Sequence, residues 1–207
     1  MMNEIDEDGS IKLKTILIGE SGVGKTNLIN VACGRSFDPD SNSNVVSSFS
    51  ESFFEHENKK YIFNLWDTAG QERYRSLNKI FIKGSKIVMI VFAIDNQISF
   101  EQVDYWIKYT IKVLSGEKYI LALIANKSDL FEEQVISDED IGKKAKEYSI
   151  RYIITSACCD AAGFKSFINE LILDYIKIIG PEAAKDLYFK LEKKDNDNNK
   201  NNSKKCC

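Results

Sequence analysis

Apolar positions along this chain alternate between two patterns. Four runs of strand length are near-continuous: "LKTILIG" (Leu13–Gly19), "IVMIVFAI" (Ile87–Ile94), "YILALIA" (Tyr119–Ala125) and "RYIIT" (Arg151–Thr155). Continuous runs of this length fit strands covered on both faces. Between them lie segments of helical period. Leu28, Ile29, Ala32 and Cys33 share one face, and Gly34 is placed to cap that helix. "SFEQVDYWIKYTIKVL" (Ser99–Leu114) opens on a capping box of Ser99 and Gln102, with a stripe of Phe100, Val103, Ile107, Ile111 and Leu114. Ser137 and Asp140 open a further helix whose inner face is Ile141, Ala145 and Tyr148. A last one carries Phe164, Phe167, Ile168, Leu171 and Ile172 and stops at Gly180-Pro181. "SESFFEHENKKYIFNLW" (Ser50–Trp66) reads as two strands around a polar turn at Glu57–Lys60. Strands alternating with helices predict an α/β fold: a parallel sheet with helices on both faces, plus one antiparallel edge strand from the hairpin.

Composition adds limits. A chain of 207 residues, 43% hydrophobic and 29% charged, suits one soluble domain with a sizeable core. A net charge of −3 gives no overall footprint for nucleic acid, so no nucleic-acid partner is expected. The acidic start "MMNEIDEDGS" has no apolar core of a secretory signal, and the longest apolar run is too short to span a bilayer. A cytosolic protein with reduced cysteines is expected. No Cys/His spacing resembles a zinc site, and Cys33 reads as a small buried hydrophobe. Past about Lys193 the chain is rich in Asn, Asp and Lys, a composition that buries too little surface to fold. The expected organisation is an acidic extension over 1–10, one domain over 11–180 and a tail over 181–207.

Candidate chemistry sits in three motifs. "GESGVGKT" (Gly19–Thr26) fits G-x-x-x-x-G-K-[ST] directly after a strand and at the start of a helix. Gly22 and Gly24 let backbone N–H groups turn toward an anion, and the helix N-terminus adds partial positive charge. Lys25 can reach β- and γ-phosphates, and the Thr26 hydroxyl can ligate Mg²⁺. "NKSD" (Asn126–Asp129) follows a buried strand. By itself it is also compatible with a polar turn. A carboxylate at Asp129 can accept from both the ring N–H and the exocyclic amine of guanine, whereas adenine would face it with a lone pair. "WDTAGQERYRSL" (Trp66–Leu77) follows the hairpin. There Asp67 can hold Mg²⁺ through water, Gly70 offers a backbone N–H, and Gln71 can orient an attacking water.

With "TSA" at Thr155–Ala157, these motifs resemble those of the Ras-type small GTPases, and "RYRSL" with the Cys-Cys end resembles the Rab branch. The resemblance covers about Leu13 to Ile179 and then the terminus. It implies a single P-loop GTPase domain with a six-stranded mixed sheet, five strands parallel and one antiparallel. It implies GTP or GDP held by Gly19, Ser21, Gly22, Val23, Gly24, Lys25 and Thr26, with Phe37 packed on the guanine. Asn126, Lys127 and Asp129 would read the base, supported by Ser156, Ala157 and Cys158. Asp67, Gly70 and Gln71 would sense the γ-phosphate, with Gln71 catalytic. Implied partners are an exchange factor, a GTPase-activating protein that supplies an arginine, GTP-state effectors, and prenylation escort and GDP-dissociation inhibitor proteins. The implied role is a slow GTPase switch in vesicular membrane traffic on the cytoplasmic face of an organelle; the alternative is a binding module that holds nucleotide with little turnover.

Two departures bear on that expectation. Where the family reads "TIGVDF", this chain reads "NVVSSF" (Asn44–Phe49), so Asn44 stands at the threonine that ligates Mg²⁺ and Val46 at a glycine. An amide oxygen can ligate a hard cation, but the side chain is longer. Cys158 stands where the family has lysine, with Cys159 beside it. Finally, Cys206 and Cys207 end the chain outside the C-a-a-X rule. In Rabs such a pair carries two geranylgeranyl groups. Two chains anchor stably where one binds only marginally, and Lys204 and Lys205 add attraction to an anionic leaflet.

Overall fold

The computed structural model describes residues 10–40, 49–67 and 75–180. The elements are β1 (Ile11–Ile18), α1 (Lys25–Ala32), β2 (Phe49–His56), β3 (Lys59–Asp67), α2 (Arg75–Ile82), β4 (Ile87–Ala93), α3 (Gln97–Glu101), α4 (Val103–Val113), β5 (Ile120–Asn126), α5 (Asp138–Glu147), β6 (Arg151–Ile154) and α6 (Ala161–Ile179). They build one six-stranded sheet in the order β2-β3-β1-β4-β5-β6. Only β2 runs antiparallel to its neighbour; β3, β1, β4, β5 and β6 are parallel. The expected mixed sheet of five parallel strands and one antiparallel strand is therefore the observed one.

The hairpin needs no long loop because Glu57 and Asn58 both take positive φ, 51° and 59°. That is the backbone of the tight turn whose twist matches right-handed strands. Every residue of β4 is buried, as its continuous apolar run requires of a central strand. Each sheet face has its own core. Leu28 and Ile29 of α1 and Phe164, Ile168 and Leu171 of α6 pack with Leu17, Phe63, Met89 and Ile124. Val103, Trp106 and Ile107 of α4 and Ile141 of α5 pack with Ile16, Ile18, Ile90 and Leu123 on the other face.

Local detail departs from expectation in three places. The third helical segment starts three residues early: Asn96, not Ser99, is the N-cap and accepts the Ser99 N–H at 3.0 Å. Ser99 is instead buried, its hydroxyl donating to the Asn96 carbonyl at 2.7 Å and accepting from the Ala93 N–H at 3.1 Å. The helix is then divided at Gln102 into α3 and α4. The buried stripe also rotates: Trp106 and Thr110 are inside, while Ile111 is 47% exposed. The helix α2 was not expected, although Leu77, Ile80 and Phe81 stand at helical spacing in it; Ile80 is 70% exposed and Ile82 is fully buried.

Two of the expected caps are present. Ser137 accepts from the Asp140 N–H at 3.1 Å. Gly34 ends α1 with φ +75°, and the Arg35 N–H reaches back to the Asn30 carbonyl at 2.9 Å.

The sheet order also positions the site. From β1 the chain first builds outward to β3 and β2, then returns to the other side for β4. Ligands in open α/β sheets bind at the carboxyl edge beside such a reversal. The ends of β1, β3, β5 and β6 and the turns that follow β1, β5 and β6 all lie at that edge.

On the opposite core face, α4 and α5 are joined by Asp104, Lys144 and Tyr148. Lys144 Nζ lies 2.9 and 3.0 Å from the Asp104 carboxylate oxygens, and the Tyr148 hydroxyl donates to the same carboxylate at 3.0 Å. Burial pushes Asp104 up, but the bonds from Lys144 and Tyr148 outweigh it and the net shift is downward. Lys144 is raised despite burial, by Asp104. Burial and Asp104 push the Tyr148 hydroxyl up to about 12. A carboxyl lowered on folding stabilises above its unfolded value of about 3.9 and loses that contribution as pH falls through the folded value. A raised lysine stabilises below about 10.4 and loses it as pH rises further. Lys144→Met should therefore cost up to about 1 kcal/mol between these limits, since Asp104 is 39% exposed, and the difference should vanish near pH 2. Urea midpoints of both proteins at pH 2, 7 and 9 check this.

Candidate functional site

The cleft at the carboxyl edge has a volume of about 370 Å³, in the range of small-ligand sites. One end is the turn after β1. Gly22 and Gly24 have φ of +76° and +94°, a left-handed backbone that favours glycine. Gly24 caps α1, whose first turn thus opens toward the cleft with its partial positive charge. A Cβ on Gly24 would stand 2.3 Å from Asn126 Nδ2, and one on Gly19 would stand 2.0 Å from the Val91 carbonyl oxygen. Gly19 therefore serves close approach of β1 to β4, which is a packing role beneath the cradle. Lys25 is 4% exposed, and its ammonium donates to the Gly19 and Glu20 carbonyls at 2.9 and 2.7 Å. This places a buried cation on the cradle floor. Glu20 is tied in turn to α4, because the Trp106 indole N–H donates to its carboxylate at 3.3 Å.

Beside the cradle, the Thr26 hydroxyl donates to Asp67 Oδ2 at 2.7 Å, joining the start of α1 to the end of β3. A hydroxyl and a buried carboxylate at this spacing form a hard-oxygen donor pair. Mg²⁺ takes such ligands, one or two from protein and the rest from water and phosphate, so these residues fit it.

The other end of the cleft belongs to the turns after β5 and β6. Lys127 holds a left-handed backbone, φ +67°, which is uncommon for a side-chain-bearing residue. Its ammonium pairs with Asp95 Oδ2 at 3.2 Å. Asp129 is exposed to the cleft and accepts from the Ser156 hydroxyl. That hydroxyl also accepts the backbone N–H groups of Cys158 and Cys159 at 3.1 and 3.2 Å. Cys158 lines the cleft with Asp129 and Ala157. Its thiol is raised above the ordinary value, first by its hydrogen bond to Cys159, then by burial and the charges of Cys159 and Asp129.

Of the expected residues, Gly22, Gly24, Lys25, Thr26, Phe37, Asn126, Lys127, Asp129, Ala157 and Cys158 line the cleft. Gly19, Val23, Asp67 and Ser156 stand behind it, and Ser21 is exposed on the turn. Asn44, Gly70, Gln71, Cys206 and Cys207 lie outside the described residues. Three lining residues were not expected: Asn27, Pro39 and Leu130. Asn27 makes a two-way bond with the Asp38 backbone, 2.9 Å to its carbonyl and 3.0 Å from its N–H. It thereby fixes the chain just after Phe37. No motif signals this contact, because the partner is a backbone eleven residues away.

Asn126 has a role that the motif alone does not reveal. It is 1% exposed. Its amide N–H donates to the Val23 carbonyl at 2.8 Å, and its oxygen accepts the Ala157 N–H at 3.1 Å. One side chain thus ties the cradle to both turns at the far end. Asn126→Ala leaves a buried carbonyl and a buried N–H without partners, a loss of about 2–3 kcal/mol in ligand-free stability. A urea midpoint for the variant corresponding to less than about 1 kcal/mol would refute the latch.

Comparison with known proteins adds to this geometry. The model of the Ras family matches residues 14–177. The GTP-binding protein ypt3 of Schizosaccharomyces pombe is 33% identical over 166 residues, 80% of this chain and 77% of the relative. The Ras-related protein RGP2 of Oryza sativa subsp. japonica is 28% identical over 183 residues, 88% of this chain and 83% of the relative. A match of this extent, over a chain that folds into the six-stranded sheet with a phosphate-type cradle after β1, makes this protein a member of the Ras family and a small GTPase of the Rab type.

Proposed function

We propose that the cleft holds GTP and GDP, with phosphates on the Gly19–Thr26 turn and guanine against Asp129, and that the chain switches a vesicle-traffic step between those states. The observation that carries this reading is the pairing of a cradle and a carboxylate in one cleft, latched by Asn126. Lys25 and the backbone N–H groups of the cradle would neutralise phosphate oxygens. Thr26 and Asp67 would hold Mg²⁺, which when bound offsets charge on the transferring phosphoryl group. Phe37 and Lys127 would cover the two faces of the base. Gly70 would contact the γ-phosphate, and Gln71 would orient the attacking water. With no arginine in the cradle turn, hydrolysis stays slow until a partner supplies one, a gain of about 10³–10⁵ in rate.

A second reading, a nucleotide-holding module with little turnover, draws on Asn44 at the threonine position. In either case, GTP orders residues 38–50 less well than in a Rab that has the threonine. Equal hydrogen-exchange protection of that segment by GTP in both proteins would overturn this, and single-turnover hydrolysis separates the two readings. The domain over 11–180 then acts as a switch between an acidic extension and a tethering tail. That tail would carry two prenyl groups on Cys206 and Cys207, which escort and GDP-dissociation inhibitor proteins would shield. Among the described residues, no helix is long and apolar enough to cross a membrane. Mass spectrometry of protein from its own cell should find lipid on both terminal sulfurs; two bare thiols would remove the anchor.

The base reading is tested by competition against fluorescent GDP in the presence of Mg²⁺. GTP should compete at least about 10³-fold better than ATP, because adenine would leave the carboxylate facing a lone pair. Asp129→Asn should weaken guanine binding by about 10²-fold or more and favour xanthine nucleotide, whose carbonyl at the amine position accepts from the new amide. Equal binding of GTP and ATP would end the proposal.

A further inference from the structure

Two thiols at the base end of the cleft take no part in the reading above. Cys158 and Cys159 are adjacent, exposed and free. Their backbone N–H groups are the two that the Ser156 hydroxyl accepts, and that hydroxyl in turn holds Asp129. The third described cysteine, Cys33, is different: half-buried, with its thiol raised by that burial. An oxidant in solution would therefore meet the pair before it meets Cys33.

We propose that Cys158 and Cys159 form an oxidisable dithiol, with a low-molecular-weight disulfide as its substrate, whose closure disengages Asp129 and speeds nucleotide release. The release step rests on the guanine-nucleotide reading; closure of the dithiol does not. The reaction is two thiol–disulfide exchanges. The Cys159 sulfur gives up its proton and attacks the reagent R–S–S–R, forming a mixed disulfide and expelling the first R–SH. Cys158, held as a thiol beside it, then loses its proton and attacks the Cys159 sulfur, expelling the second R–SH. Two protein thiols are oxidised to one disulfide, and one reagent disulfide is reduced to two thiols.

Coupling to the nucleotide follows from backbone geometry. Adjacent Cα atoms are about 3.8 Å apart across a trans peptide, closer than the 4.4–6.8 Å usual for a disulfide. The ring can close only if the backbone between the two residues turns. The peptide between them carries the Cys159 N–H bound to Ser156, and the Cys158 N–H bound to the same hydroxyl lies on the peptide just before it. Turning the first withdraws its N–H and disturbs its neighbour, which loosens the serine and frees the carboxylate from its set position. Such a ring is also easily reduced, so the change is reversible.

The experiment uses the full chain with Cys206→Ser and Cys207→Ser, so that tail thiols do not react. It is incubated with oxidised glutathione and digested with trypsin. The peptide over 152–165 should lose two hydrogens, and fluorescent GDP should dissociate at least about tenfold faster, the loss of one hydrogen bond to a charged group. Dithiothreitol should restore the original rate. With Cys159→Ser, oxidant should change the variant's own rate by less than about twofold. By linkage, saturating GDP should make the ring harder to close by the factor by which closure weakens GDP affinity, about 30 mV for a tenfold change in affinity. A peptide that is unchanged or carries only a glutathione adduct overturns the proposal. So does a closed ring that leaves GDP dissociation unaltered, or one that abolishes the circular dichroism of the fold. A reduced chain that binds no guanine nucleotide defeats the functional reading and the release step together, while the mass of the peptide still decides whether the dithiol closes.

Discussion

The site depends on one amide. Asn126 holds the Val23 carbonyl from the cradle and the Ala157 N–H from the far turn, and both bonds are buried. Without it, the two ends of the cleft are separate turns on a common sheet. With it, they are one rigid body, because a buried polar group that is fully satisfied is costly to disengage. Gly24 is compelled by the same amide: there is no space for a Cβ beside Asn126 Nδ2. A residue in the motif after β5 thus dictates a glycine in the motif after β1. The two signatures are separate in sequence but share one packing problem.

The rest of the fold serves this joint. β1 and β5 flank β4, so the turns that follow them arrive one strand apart, with the fully buried β4 as spacer. Gly19 lets β1 approach the Val91 carbonyl, and that sets the height at which the cradle begins. Thr26 and Asp67 draw in the end of β3 from the other side. Asn27 secures the segment bearing Phe37. Each tie runs from a short polar side chain to backbone or to another such side chain, which limits the freedom of the cleft walls.

Much of this was legible in the sequence, for identifiable reasons. β4 and β5 are continuous apolar runs, and only central strands of a covered parallel sheet tolerate that. The hairpin followed from its polar turn, and the caps at Ser137 and Gly34 from residue type. What was not legible came from through-space contacts. Asn96 displaced Ser99 as a cap because Ser99 is used to bind β4, which no local pattern reveals. The helix α2 is short, eight residues, and its Leu77, Ile80 and Phe81 stand at helical spacing only where it overlaps and follows the end of the "WDTAGQERYRSL" motif. At the site, motif matching identified Asn126 but not its task, and it missed Asn27 and Asp95, whose partners lie far along the chain.

The bond between Trp106 and Glu20 has a practical side. The chain has two tryptophans. Trp106 is buried with its indole N–H on Glu20, one residue from Gly19, and Trp66 precedes Asp67, packed edge-on to Phe49 with ring centroids 5.4 Å apart. The molecule therefore carries two native chromophores, one wired to the turn after β1 and one adjoining the Asp67 carboxylate. Charge arriving in the cleft alters the field at both indoles, and removing either ring leaves the other as a separate optical channel for its half of the pocket.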